Sequence, residues 1–329
     1  LRAHKGSDGE KGGGDSKVTE NTVLAIIDPD FLFIRPLTTR VQGEPHEDVS
    51  HVRAGHPAGQ LYGLSAPWAN EKNRKKNLRT KDGKNNYFDV IDICGVNSPA
   101  LKLSVADGNK YYAVGPPYMV HIDDFGRLVD SWVEMVPKVY KGYPHLLAEM
   151  YAYVLAAAHQ ELPHTTVTKH MVSNVHVDSS AEGWSGIDQL QDHVCVGKEQ
   201  MGESSVSLYY PDRLDMPTFL HYCQFYRIGD YGFQKRRFHK KMFQCNTPLL
   251  AELPSDVGAL RYKNRDGEIV KYGEVESRRN AFMLCAIHRS LNDAVLDVKN
   301  LMCSAGGDEH GRIQPVYDHT AADTFDVVN

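Results

Sequence analysis

Asp28-Pro29-Asp30 is the place in the chain where two closely spaced carboxylates follow directly on an apolar run and could do chemistry. In extended backbone two residues two apart point the same way. Pro29 fixes φ between them and stiffens the pair. Two carboxylates held close repel, and one takes up a proton unless a cation sits nearby. A divalent metal bridging to phosphate oxygens is the natural cation. The plain alternative is a polar turn, since Asp and Pro both favour turns. Phe31-Leu32-Phe33-Ile34 weighs against it, because a surface turn seldom returns the chain to the core so quickly.

Three other places carry candidate chemistry. His221 falls inside Thr218-Phe219-Leu220-His221-Tyr222-Cys223-Gln224-Phe225-Tyr226, which reads as a buried strand. A lone His there is either a satisfied core residue or a ligand. Lys235, Arg236 and Arg237 follow, a cluster that faces a diphosphate or forms a solvated turn. Glu149 flanks an apolar helical stripe, either snorkelling to water or facing a site. His46, His51 and His56 are spaced by five, which fits neither face of a helix nor a strand, so they read as a loop.

These groups need elements to position them. Residues 22–27 are apolar and partly β-branched, so they read as a buried strand with the carboxylates at its C-terminal end. That is where open α/β sheets place their ligands. Tyr111-Tyr112-Ala113-Val114-Gly115-Pro116-Pro117-Tyr118-Met119-Val120-His121-Ile122-Asp123-Asp124 reads as strand, tight Gly-Pro-Pro bend, strand and helix start. Asp123 or Asp124 caps that helix, which runs through Trp132. The glycine admits a ligand close to backbone, or marks a bulge. Residues 143–161 form the clearest helix, with Pro144 in its first turn and Leu146, Met150, Val154 and Ala157 or Ala158 along one face. A last helix near 277–303 carries Leu284, Ile287, Leu291, Ala294, Val298 and Leu301, and Gly306-Gly307 ends it.

The whole chain sets bounds. With 329 residues it holds one large domain or two small ones. It divides into a flexible tail or insertion (1–20), a main α/β domain (21–255), an extension with the long helix (256–305) and a tail (306–329). Residues 178–216 are polar and turn-rich. A net charge of -5 gives no global signal for nucleic acid or an anionic membrane. The basic run at 70–86 lacks interleaved aromatics and reads as solvated loop. No apolar run approaches the ~20 residues of a membrane span. The six cysteines show no CxxC spacing and are read as free thiols or disulfides. Cys285 and Cys303 share one helix at about 27 Å, too far apart to bond each other.

Four segments then occur in a telling order: Ile26-Ile27-Asp28-Pro29-Asp30, Val114 to Asp124, Ala148-Glu149-Met150-Tyr151-Ala152-Tyr153 and Leu220-His221-Tyr222. Together they resemble the peptidyl serine α-galactosyltransferases and the related hydroxyproline O-arabinosyltransferases over roughly residues 22–254. The resemblance implies an α/β fold of the GT-A type in the Golgi or ER lumen. It implies a UDP-sugar donor, a divalent cation such as Mn²⁺ and a Ser- or hydroxyproline-rich protein acceptor. By the same resemblance Asp28, Asp30 and His221 hold the metal, and Lys235 binds the diphosphate. Gly115 and Pro116 line the sugar pocket, and Glu149 lies against the donor sugar of a retaining transfer. The Asp pair comes only about twenty residues in, so the chain reads as a fragment lacking the N-terminal part of such a domain. On that reading it would not turn over donor alone, and any membrane anchor would lie outside it. Two other classes stand beside this one. A degenerate carbohydrate- or nucleotide-binding module predicts a lost metal ligand, and all three candidates are present. A metal-dependent phosphohydrolase needs a second cluster of ligands, and none is visible.

Overall fold

The computed structural model describes residues 21–42, 49–64, 66–69, 78–79, 85–86, 89–190, 215–229, 231–235, 240–251, 253, 261–263, 268–303 and 312–313. The fold is mixed α/β. Seven strands form its two main sheets: β1 (Val23–Ile26), β2 (Phe31–Phe33), β3 (Ala58–Leu61), β4 (Val114–His121), β5 (Thr165–Val167), β6 (Met171–Val172) and β7 (Phe219–His221). The first sheet has the order β1-β4-β3-β5, and the second has the order β6-β7-β2. β1 and β3 both pair antiparallel to β4, while β5 runs parallel to β3.

The expected buried strand at 22–27 is instead an edge strand. β1 pairs only with β4, and its residues are half-buried with Ala25 exposed. The strand at the centre is β4, buried at all eight positions. No bend divides it. The ladder to β3 shifts register between Gly59 and Gln60, so Gly59 faces Tyr118 and Gln60 faces Gly115. Pro116 and Pro117 fall in the skipped interval, where the absence of an N–H costs no ladder bond.

Three helices cover the sheets: α1 (Ile122–Gly142), α2 (Ala148–His159) and α3 (Glu274–Met302). The cap of α1 is His121, whose Nδ1 accepts from the Asp123 amide, and not Asp123 or Asp124. Asp124 serves elsewhere: it accepts from the Gly55 amide at 2.6 Å and from Arg127 at 2.6 Å, docking a loop onto the helix. α2 starts later than expected, leaving Pro144 outside it and Leu146 79 % exposed. It also lacks a single apolar face. Met150 to Ala158 are all buried, because α1, the short helix Val90–Cys94, the turn Pro99–Lys102 and Tyr118 of β4 all pack against it. Tyr153 of α2 stacks on Tyr118 of β4 at 3.7 Å and meets Trp132 of α1 edge-on at 5.2 Å.

In α3 the inward face departs from the expected stripe halfway along. Leu284 and Ile287 are buried, but Ala294 is exposed and Leu301 is 87 % exposed. Asn292, Val295 and Lys299 face inward instead. Buried polar groups are tolerated when hydrogen-bonded, and these are. Asn292 Oδ1 accepts from the Leu250 amide at 2.8 Å while its Nδ2 donates to the Leu250 carbonyl at 2.9 Å. Lys299 Nζ donates to the Thr247 carbonyl. Just past the helix, Cys303 is bonded to Cys245, 58 residues away. A cross-link closing such a loop contributes about 4 kcal/mol on the chain-entropy account. Cys285 is also disulfide-bonded, and not to Cys303, whereas Cys94 and Cys223 are free. Residues Phe282 to Ile287 of α3 share one core with Ile34, Leu220 and Trp184.

Several expectations fall outside the described residues: the tail at 1–20, most of the basic run at 70–86, Arg236 and Arg237, and the Gly306-Gly307 stop. Within the basic run, Leu78–Arg79 pairs antiparallel with Asn85–Asn86. Arg312–Ile313, expected to be tail, pairs parallel with Leu249–Leu250.

Candidate metal centre

Asp28 and Asp30 lie between the two sheets. β1 ends at Ile26 in the first sheet, and β2 begins at Phe31 in the second. The backbone between them turns, with the Phe31 amide donating to the Asp28 carbonyl at 3.3 Å. The two carboxylates are therefore set by a turn between strands, and not by one extended strand as the spacing alone predicts. β7 runs antiparallel to β2 and places His221 opposite Phe31. The Tyr222 amide donates to the Asp30 carbonyl at 3.1 Å and fixes the turn against β7. The Phe31 ring meets the His221 ring edge-on at 4.5 Å and sets its orientation.

The three side chains converge. His221 Nε2 lies 3.4 Å from Asp30 Oδ1 and 3.8 Å from Asp28 Oδ2. One donor atom from each lies within 4.8 Å of the others, room for a shared cation. Among the described residues no other three His, Cys, Asp or Glu side chains gather in this way. His51 is not in a loop: it ends the strand Val49–His51, which pairs antiparallel with Arg40–Gln42, while His56 follows in an exposed turn bridged to Arg53, and His46 lies outside the described residues. Lys235, which follows the hairpin of β8 (Tyr226–Ile228) and β9 (Tyr231–Phe233), ion-pairs with Asp30 through Nζ.

Electrostatics favour a cation here. Burial pushes the His221 imidazole down to about 4; Asp30 opposes that shift and Lys235 adds to it. His221 is thus neutral at pH 7, the form that ligates metals. Its Nδ1 is buried without a partner among the described residues. The Asp28 carboxyl is held above the usual range by burial first and by repulsion from Asp30 second, with Lys235 opposing. One ammonium does not offset two carboxylates. Carboxylate oxygens with one imidazole make a donor set suited to Mn²⁺, and the residues present fit such an ion.

The other expected residues sit around this centre with different standing. Glu149 is in the first turn of α2 and exposed. Partial loss of water raises its carboxyl and Asp28 adds to the rise, while its own amide opposes. It therefore lies within electrostatic reach of Asp28. Gly115 and Pro116 are buried within β4. A Cβ at Gly115 would come within 2.5 Å of Met150 Cε and 2.6 Å of Tyr62 Cδ2, so the glycine is required by packing.

Two features near the centre escaped the sequence reading. Tyr62 lies in the field of Cys223, Asp28, Glu182 and Asp30. Glu182 is buried and accepts from Ser173 N, Ser173 Oγ, Asn174 N and Trp184 Nε1, holding the segment that follows β6 in place. Both hide in stretches whose composition singles out no group: a glycine-punctuated apolar one around Tyr62 and a polar, turn-rich one around Glu182.

Burial also holds His164 and His170 down to about 4. With His221 they make three imidazoles whose folded pKa lies below the unfolded value of 6.5. Between those values the unfolded chain binds more protons, so stability is full above pH ~6.5 and is lost as pH falls toward 4. The melting temperature of metal-free protein should fall steadily over that window. A flat profile would show that these side chains are not held neutral.

No helix among the described residues is long and apolar enough to cross a membrane. Compared with known family models, with curated proteins and with solved structures, the chain matches none.

Proposed function

We propose that this chain is a metal-dependent glycosyltransferase of the GT-A type. It moves galactose or arabinose from a UDP-sugar to serine or hydroxyproline of secreted or cell-wall glycoproteins. The observation that carries this reading is the convergence of Asp28, Asp30 and His221, with Lys235 paired to Asp30, where the two sheets meet. Asp28, Asp30 and His221 would hold the ion. A divalent ion there supplies Lewis-acid stabilisation of charge on the departing diphosphate. Lys235 adds charge-assisted hydrogen bonds to the same group. Glu149, within electrostatic reach of Asp28, stabilises an oxocarbenium-like centre or acts as nucleophile in a retaining transfer. Gly115 seats the groups that border the sugar. The disulfide chemistry of Cys245, Cys285 and Cys303 suits an oxidising lumen such as the ER or Golgi.

The competing reading is a binding module that holds the nucleotide sugar without reacting. Release of UDP from UDP-galactose and UDP-arabinose, with Mn²⁺ or with EDTA, separates the two. Slow release that needs Mn²⁺ is expected for the transferase when the assay uses the full-length protein. Tight binding with no release would favour the module.

A further inference from the structure

Tyr62 stands where the two halves of the centre meet. Its side chain packs against the core of α2 and β4, and also against the small cluster of Phe31, Met171 and Phe219. It therefore touches both the element that carries Glu149 and the strands that flank Asp30 and His221. Its backbone is fixed, with the amide donating to the Ala113 carbonyl at 2.9 Å. Its ring lies on the bare backbone of Gly115, where a Cβ would come within 2.6 Å of Cδ2 and 2.7 Å of Cγ. Met150 crowds the same spot, and Met150 adjoins Glu149 in α2. One glycine thus seats both the tyrosine and the helix turn that bears the acid.

The Tyr62 hydroxyl makes no hydrogen bond with the described residues. A tyrosine packed this closely normally gives its O–H a partner. Tyr62 is also only partly buried, and its hydroxyl is not one of the sealed polar atoms of the core, so a ligand can take the place of water there. Burial raises its pKa, and so do the negative neighbours, so the hydroxyl is a donor at neutral pH.

We propose that Tyr62 contacts the ligand of this centre, its hydroxyl donating to an oxygen of a diphosphate-linked sugar held at Asp28, Asp30 and His221, with Gly115 seating the ring. The inference rests on the reading of the centre as a nucleotide-sugar site. The accepting oxygen belongs either to the diphosphate or to a sugar hydroxyl, and UDP against UDP-galactose distinguishes them.

The test is calorimetric titration of wild type, Tyr62→Phe and Gly115→Ala with Mn²⁺ alone, then with UDP and UDP-galactose at saturating Mn²⁺. Tyr62→Phe should keep Mn²⁺ affinity within about twofold and melt as wild type does. It should lose about tenfold in affinity for UDP-galactose, the size of one hydrogen bond to a charged or strongly polar oxygen. An equal loss for UDP places the contact on the diphosphate, and no loss for UDP places it on the sugar. Gly115→Ala should show the same nucleotide loss with a lower melting temperature, because the new Cβ displaces the ring. If wild type binds nucleotide and Tyr62→Phe binds it equally well, the role of Tyr62 is overturned and the function of the centre stands. A wild type that binds no nucleotide overturns both. A Tyr62→Phe variant that loses Mn²⁺ affinity as strongly as nucleotide affinity also overturns the contact, since the residue would then only support the metal centre.

Discussion

Asp30→Asn should cost at least ~10²-fold in Mn²⁺ affinity, beyond the 10–100-fold typical of groups that only support a ligand. The substitution keeps the volume and removes a charge that faces His221 at 3.4 Å and pairs with Lys235. The Asp30 side chain is 11 % exposed against 44 % for Asp28, so water can replace less of what Asp30 supplies. Asp28→Asn should therefore weaken Mn²⁺ less than Asp30→Asn does. Calorimetry with Mn²⁺ alone reads both, and thermal melts exclude unfolding as the cause. Wild-type affinity in Asp30→Asn would remove the metal assignment altogether.

Measured on the full-length protein, Glu149→Gln is expected to lower kcat by ~10²-fold or more, the scale of a lost electrostatic stabiliser in a transition state. The residue is exposed, so the fold loses at most the interaction of its charge with the first turn of α2, about 0.3–1 kcal/mol. Its carboxyl nevertheless lies in the field of Asp28. Donor affinity and melting temperature should hardly change. The Glu149 carbonyl accepts from Trp132 Nε1 at 2.9 Å through backbone alone, and the variant leaves that bond intact. A normal kcat would take Glu149 out of the site. A drop in melting temperature with normal kcat would mark it as a structural residue.

Much of the centre was legible because charge and imidazole stand out from apolar surroundings. Asp28, Asp30 and His221 each interrupt or end an apolar run. What spacing could not convey was how the carboxylates are aimed. That depends on β1 and β2 belonging to different sheets, and a nine-residue reading cannot show a change of sheet. The central strand was misplaced for a related reason. Residues 22–27 are as apolar as a core strand, but burial is decided by how many neighbours pair, and β1 has one. Helix faces went astray where periodicity assumes a single core. α2 is wrapped by α1, the short helix Val90–Cys94, the turn Pro99–Lys102 and β4, so every position from Met150 to Ala158 is inside. In the second half of α3 the inward positions fall to Asn292 and Lys299, whose polarity hides them from any apolar pattern. Glu182 is the clearest omission: its four donors come from backbone and from Ser173 and Trp184, partners that composition cannot announce.

The ion pair between Asp30 and Lys235 joins positions 205 residues apart. Long-range contacts of this kind form late, because a large loop must close before they repay its entropy. A nascent chain that has made the first sheet but not β7 and the hairpin after it carries both aspartates and no binding site. Metal uptake during refolding should therefore trail the recovery of helical signal. Occupancy then measures how complete the molecule is: only a chain that has brought these two distant stretches of sequence together can be loaded.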